Sequence, residues 1–268
     1  MRPKGRTTTN QRDGAAHTIP KAIYAMLGAL ALMATLLAGC GSGGTPSSVA
    51  QPTATATPKP PVVYVALGAS DAVGVGASDP AHTAYIPIII SRLPKNSYAL
   101  NLGISGETLH KALTDELPYA IQAQPTLMTV WLVGNDFRDC VPLQQYGADL
   151  NTLLTQLQTK THAKVFVANA PDMSMLPAIK QQAAEQGGFC GVPDSQAAIR
   201  GLVTQWNSVI DASVAQHGDV LVDLFNTPLT LHPDYIYSDG FHPSDKGYLA
   251  LANLFWSEIT AHDAVPKA

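Results

Sequence analysis

Three side chains able to do acyl-transfer chemistry together sit near the two ends of the folded part of this sequence. Ser70 lies in "VALGASDAVGVGAS", just after an apolar run that ends in glycine. Asp239 and His242 lie three residues apart in "SDGFHPSD". A serine hydroxyl is a poor nucleophile until a base takes its proton. His242 is the candidate base. Asp239 can reach the imidazole Nδ1 proton across a turn, fix the tautomer and stabilise the imidazolium. Acyl transfer also needs donors where negative charge develops on the carbonyl oxygen. The backbone N–H groups of Ser70 and of Gly106 in "GISGET", with the side-chain amide of Asn135 in "GND", suit that task. Glycine at 106 lets the backbone approach closely.

Each residue has a plainer reading. A lone serine is more often a turn residue, and Gly106 and Asn135 could simply turn the chain after a strand. "GASDAVGVG" lacks the Lys-Ser/Thr of a phosphate-binding P-loop and the full GxGxxG pattern. His232, Asp234, Asp239 and His242 are of metal-ligating type but form no compact ligand motif. The expectation is therefore a site with no metal and no cofactor.

The elements that would position these residues are five short apolar runs: "VVYVAL" (62–67), "SYALNL" (97–102), "LMTVWLV" (127–133), "KVFVANA" (164–170) and "DVLVDLF" (219–225). Each is continuous rather than alternating, as expected of strands buried on both faces. Helical spacing separates them. In 192–218, Asp194 is the expected N-cap, Ile199, Leu202, Trp206 and Ile210 share a face, and Gly218 ends the helix. In the last helix Pro243 suits the first turn, and Tyr248, Leu251, Phe255 and Ile259 repeat at helical spacing. Strands alternating with helices imply a mostly parallel sheet covered on both faces. Ligands bind such sheets at the carboxyl ends of the strands. "GASD", "GISGET", "GND" and "SDGFHPSD" all follow apolar runs.

Taken together, "ALGASDAVGVG", "NLGISGET", "VGND" and "DGFHPSDKGY" resemble the successive blocks of the SGNH hydrolases, also called GDSL esterases. They stand in the family's order over nearly all of residues 62–262. The resemblance implies a three-layer α/β/α sandwich with a mostly parallel five-stranded sheet. It implies ester or thioester hydrolysis through an acyl-serine, with Ser70, Gly106, Asn135 and His242 as the four name-giving residues and Asp239 as the triad acid. One block departs from the pattern. The usual Gly-Asp-Ser-Leu is here Gly68-Ala69-Ser70-Asp71. The acid before the nucleophile, in the family mostly a supporting hydrogen-bond acceptor, is missing, and an acid follows instead. Asp71, where it faces the cleft, is expected to disfavour anionic substrates. A carbohydrate O-deacetylase is the rival within the same chemistry. A tethered binding protein that has lost turnover is the rival outside it.

The N-terminal part differs in kind. Residues 1–21 carry Arg2, Lys4, Arg6, Arg12 and Lys21 against only Asp13, and an uncharged apolar stretch then runs to Cys40. A basic region followed by an apolar one is an export signal. Its end, "LAGC" (37–40), resembles a bacterial lipobox, whose cysteine is lipidated and becomes the mature N-terminus. An uncleaved membrane anchor is the competing reading. Either leaves the body outside the cytoplasm and tethered, with a lipid anchor on Cys40 in the favoured case. Residues 40–61 are rich in Gly, Ser, Thr, Ala and Pro and read as a linker. The hydrolase domain then covers 62–268.

Removing residues 1–39 takes away five of the 16 basic residues and one of the 20 acidic ones, leaving a body about eight charges negative. That disfavours nucleic acid as a partner. Ester substrates and, through the anchor, a membrane remain. Cys140 and Cys190 are an even pair in an oxidising compartment and are expected to form a disulfide. The loops that carry them should share one edge of the sheet beside Asn135, so the bridge would staple the rim of the site.

Overall fold

The computed structural model describes residues 61–266. The signal-peptide reading, Cys40 and the linker up to residue 60 lie outside them.

Five strands form one sheet in the order β2-β1-β3-β4-β5. They are β1 (Val63–Gly68), β2 (Tyr98–Asn101), β3 (Leu127–Trp131), β4 (Lys164–Ala168) and β5 (Val220–Val222). All four pairings are parallel, for example Leu67 with Val130 and Val130 with Val167. The helices of this layered fold are α1 (Ser70–Val73), α2 (Tyr85–Arg92), α3 (Leu109–Asp115), α4 (Leu117–Gln122), α5 (Gly134–Arg138), α6 (Leu143–Lys160), α7 (Pro177–Gln186), α8 (Gln196–His217) and α9 (Asp245–Ala261). α2 packs on α9, and α3, α6 and α8 pack in series. The expected α/β/α sandwich is the observed one.

Burial explains which apolar runs became long strands. β1 and β3 are buried at every residue and β4 at all but its first. β2 and β5 are the sheet edges, partly exposed and shorter than the apolar runs that contain them. β5 stops at Val222 because Asp223 Oδ1 accepts the amides of Phe225 and Asn226, a local turn that competes with the ladder. β4 stops at Ala168 because Asn169 turns to accept the Leu224 amide at 2.7 Å.

Two caps differ from expectation. α8 is capped by Ser195, whose hydroxyl accepts the Ala198 amide, and not by Asp194. α9 is capped by Ser244, so Pro243 precedes the helix rather than entering its first turn. Asp194 and Ser195 are neighbours of near-equal capping preference, and the register of the buried face decides between them. That face is Ile199, Val203, Trp206 and Ile210, with Leu202 only partly buried. In α9, Tyr248, Leu251, Phe255 and Ile259 are fully buried. Tyr85 of α2 stacks on Phe255 with ring centroids 5.6 Å apart. Each such buried side chain stabilises the fold by about 1.5–3 kcal/mol.

The chain leaves β1 towards one edge for β2, then returns past β1 to β3. The loops after β1 and β3 therefore part at a topological switch point, where a crevice opens at the carboxyl ends. Ser70 and Asn135 stand there.

Candidate active site

The nucleophile turn is built on small residues. Gly68 ends β1, and the Ala69 carbonyl accepts the amides of Ala72 and Val73 to start α1 with Ser70 at its head. A Cβ at Gly68 would meet the Ala72 Cβ at 2.8 Å, and one at Gly103 would meet it at 2.5 Å, so both positions need glycine for the approach. Asn101 ties the turn to β2, donating from Nδ2 to the Ala72 carbonyl at 2.7 Å. Ser70 is thereby fixed and buried, with 7% of its surface exposed.

His242 approaches from the loop before α9. Its Nε2 lies 2.8 Å from Ser70 Oγ and its Nδ1 lies 2.6 Å from Asp239 Oδ2. With Nδ1–H donated to the carboxylate, Nε2 is left to accept the serine proton. Asp239 Oδ1 also accepts the amides of Phe241 and His242. Burial pushes the Asp239 carboxyl up, but these amides and the imidazole outweigh it and hold the group below its usual range. Asp239 therefore stays ionised wherever His242 works as a base. The loop closes through Gly240, whose φ of +74° carries the chain back over the carboxylate. The Gly240 carbonyl accepts the Ala178 amide at the start of α7.

The candidate oxyanion donors Asn135 and Gly106 lie on two segments locked together. Asn135, buried in α5, donates from Nδ2 to the Glu107 carbonyl at 2.7 Å, which orients its amide and leaves a second N–H. Asp136 Oδ2 accepts the Leu109 amide at 2.9 Å. Burial raises the Asp136 carboxyl to about 6 against the pull of that amide. Just before these two anchor points the loop carries Gly106 at φ +81°, with open space where a Cβ would stand. The Ile104 amide donates to the Gly68 carbonyl at 3.2 Å and joins this loop to the nucleophile turn. So all five sequence-identified residues fall on segments that the structure connects directly. The Glu107 carbonyl and Asp136 were not foreseen; an acid beside Asn135 in "GND" was their only sequence signal.

Asp71 does not simply face an open cleft. It lines a small, mostly apolar cavity with Trp131, Met173, Leu176, Leu229 and Phe241, of about 30 Å³. That is room for a water molecule or two. Burial raises its carboxyl to about 6, partly opposed by His242. His232 packs on Tyr235 and Asp234 pairs with Lys246, so neither turns to the triad.

Cys140 and Cys190 form the expected disulfide, with Cα atoms 5.2 Å apart. It joins Cys140, just after α5 and five residues from Asn135, to Cys190, just after α7, the helix whose first residues abut Gly240. Cys140 at φ +56° and Cys190 at φ +48° both hold left-handed backbone that cysteine does not favour. The bridge closes a separation of 50 residues, which the chain-entropy account values at about 4 kcal/mol. Arg138, in α5, lies over the Phe241 ring at 5.6 Å, a second tie between these two sides of the site.

A parallel-sheet sandwich that joins a serine, a histidine and an aspartate at its strand ends is the architecture of a serine hydrolase acting on ester bonds. Residues 66–250 match the GDSL-like lipase/acylhydrolase family, and the chain belongs to that family. Solved structures of the same fold include the extracellular lipase of Streptomyces rimosus, 20% identical, covering 74% of this chain and 99% of that one with a TM-score of 0.55. The esterase EstA of Pseudoalteromonas sp. is 16% identical over 75% of this chain and 97% of that one, with a TM-score of 0.58. The acetylxylan esterase Axe2 of Geobacillus stearothermophilus is 17% identical over 74% and 94%, with a TM-score of 0.54. No curated protein sequence gives a significant match.

Proposed function

We propose that this protein is an extracytoplasmic esterase, lipid-anchored through Cys40, that hydrolyses carboxylic esters through an acyl-serine. Ser70 attacks the ester carbonyl, and His242 takes its proton and returns it to the leaving alcohol. Asp239 holds the imidazole, and the amides of Ser70 and Gly106 with Asn135 Nδ2 bind the oxyanion. A water activated by His242 then releases the acid. The observation that carries this reading is the unbroken chain from Ser70 Oγ through His242 to Asp239, at 2.8 and 2.6 Å. The "LAGC" sequence and the disulfide support the compartment.

Taken as the acyl site, the cavity beside Asp71, at about 30 Å³, suits a short acyl group better than an alkyl chain. This gives weight to O-deacetylation of carbohydrate as a second reading. Hydrolysis of p-nitrophenyl esters from acetate to palmitate tests both. We expect acetate to be preferred and palmitate to be poor, and all turnover to vanish in Ser70→Ala. A preference for palmitate would contradict the short-acyl reading. No turnover of any ester would favour a binding protein. Radiolabelled palmitate incorporated by cells into the wild type, but not into Cys40→Ala, is the result expected for the anchor. Equal labelling would overturn it.

A further inference from the structure

The nucleophile turn lacks the acid that would stand at position 69. Ala69 offers α1 no side-chain cap. A carboxyl from elsewhere nevertheless reaches the same turn. Glu116, at the junction of α3 and α4, is fully buried, and its Oε2 accepts the Gly68 amide at 3.0 Å. Gly68 is two residues before Ser70. Glu116 is itself held firmly. Its amide donates to the Ala112 carbonyl, and its carbonyl accepts the amides of Tyr119 and Ala120. We propose that Glu116 is a positioning residue for the nucleophile, seating the Gly68 amide and so fixing the turn that presents Ser70 to His242.

The proposal rests on the serine-hydrolase reading of Ser70. Glu116 acts as a neutral acid. Burial raises its carboxyl to about 8, with the Gly68 amide pulling it down and Glu107 and Asp115 pushing it up. Its Oε1 is buried without a hydrogen-bond partner, as is the hydroxyl of Tyr85. Burial, with the nearby Asp71 and Glu116 among the causes, pushes the Tyr85 hydroxyl well above its ordinary value, so it stays a neutral phenol. The Glu107 and Asp115 carboxylates repel an ionised Glu116, which keeps the group neutral. Ionisation would also set a negative charge beneath the strand end whose Ser70 amide must stabilise an oxyanion. Turnover should therefore fall as the pH rises through about 8.

Folding carries the same sign. The folded-state value lies above the ordinary carboxylate value, so the neutral group's contribution is complete at acid pH. It is lost progressively from the ordinary value up to about 8.

The test compares the full chain with Glu116→Gln and Glu116→Leu. A fluorophosphonate that reacts at Ser70 gives the labelling rate across pH, p-nitrophenyl acetate gives kcat and KM, and melting gives Tm. We expect Glu116→Gln to stay within about threefold of wild type at neutral pH and to keep its rate where the wild type has fallen about tenfold. Glu116→Leu should lose about tenfold or more in kcat with little change in KM. An alkaline fall unchanged in Glu116→Gln, or a wild-type rate in Glu116→Leu, would overturn the proposal. Should the leucine variant not fold, the glutamine profile decides. A wild type that never labels would count against the hydrolase reading instead. The Tm comparison would then decide Glu116: a gain for Glu116→Gln at alkaline but not acid pH supports it, and equal differences at both overturn it.

Discussion

Replacing His242 by alanine should lower kcat by on the order of 10⁶-fold while KM moves little. The imidazole lies 2.8 Å from Ser70 Oγ, where it takes the serine proton as the acyl bond forms. Its loss removes stabilisation that exists only in the transition state, which is why kcat and not KM should respond. Adding Ser70→Ala to His242→Ala should cost almost nothing more, because the two act as one unit. Asp239→Asn should cost less, on the order of 10⁴-fold, since the amide keeps the geometry but presents the wrong tautomer to Ser70. Steady-state kinetics on the three single variants and the double variant checks this. Additive losses would mean that His242 works on something other than Ser70.

Asn135→Ala should lower kcat by about 10²–10³-fold, again with KM nearly unchanged. The side chain has two jobs, and the measurement must separate them. One N–H of Nδ2 holds the Glu107 carbonyl at 2.7 Å, and losing it leaves a buried acceptor unpaired, at about 1–3 kcal/mol of stability. The other N–H is left for the oxyanion. A variant that loses stability but keeps kcat would make Asn135 a structural tie between α5 and the Gly106 loop and nothing more. A variant that loses kcat while still melting cooperatively is the expected result. The Asp136–Leu109 bond, which remains, should keep the two loops together.

Particular residues show why some of this was legible in the sequence and some was not. β1 and β3 could be read because strands buried on both faces must be apolar throughout, and Gly68 and Asn135 mark where each ends. The triad could be read because Asp239 and His242 are three residues apart, and a turn of that size is local chemistry. Glu116 could not. It reaches Gly68 across 48 residues, and nothing near "TDELP" signals a carboxyl turned inward. Asp136 follows Asn135 in "GND", yet its partner is the Leu109 amide, 27 residues away. The apolar runs overshot the strands at β4 and β5 because Asn169 and Asp223 spend their side chains on backbone amides just past the ladder. The substitution of Asp71 for an apolar neighbour of the nucleophile was visible, but the small cavity it lines with Trp131 and Phe241 needed the packed structure.

The most direct test of the central claim is the mass of the protein after reaction with a fluorophosphonate, followed by peptide mapping. One adduct per chain is expected, on the peptide that carries Ser70, and none in Ser70→Ala or His242→Ala. An adduct that persists in Ser70→Ala, or an unmodified wild type under conditions that label an active serine hydrolase, would contradict it.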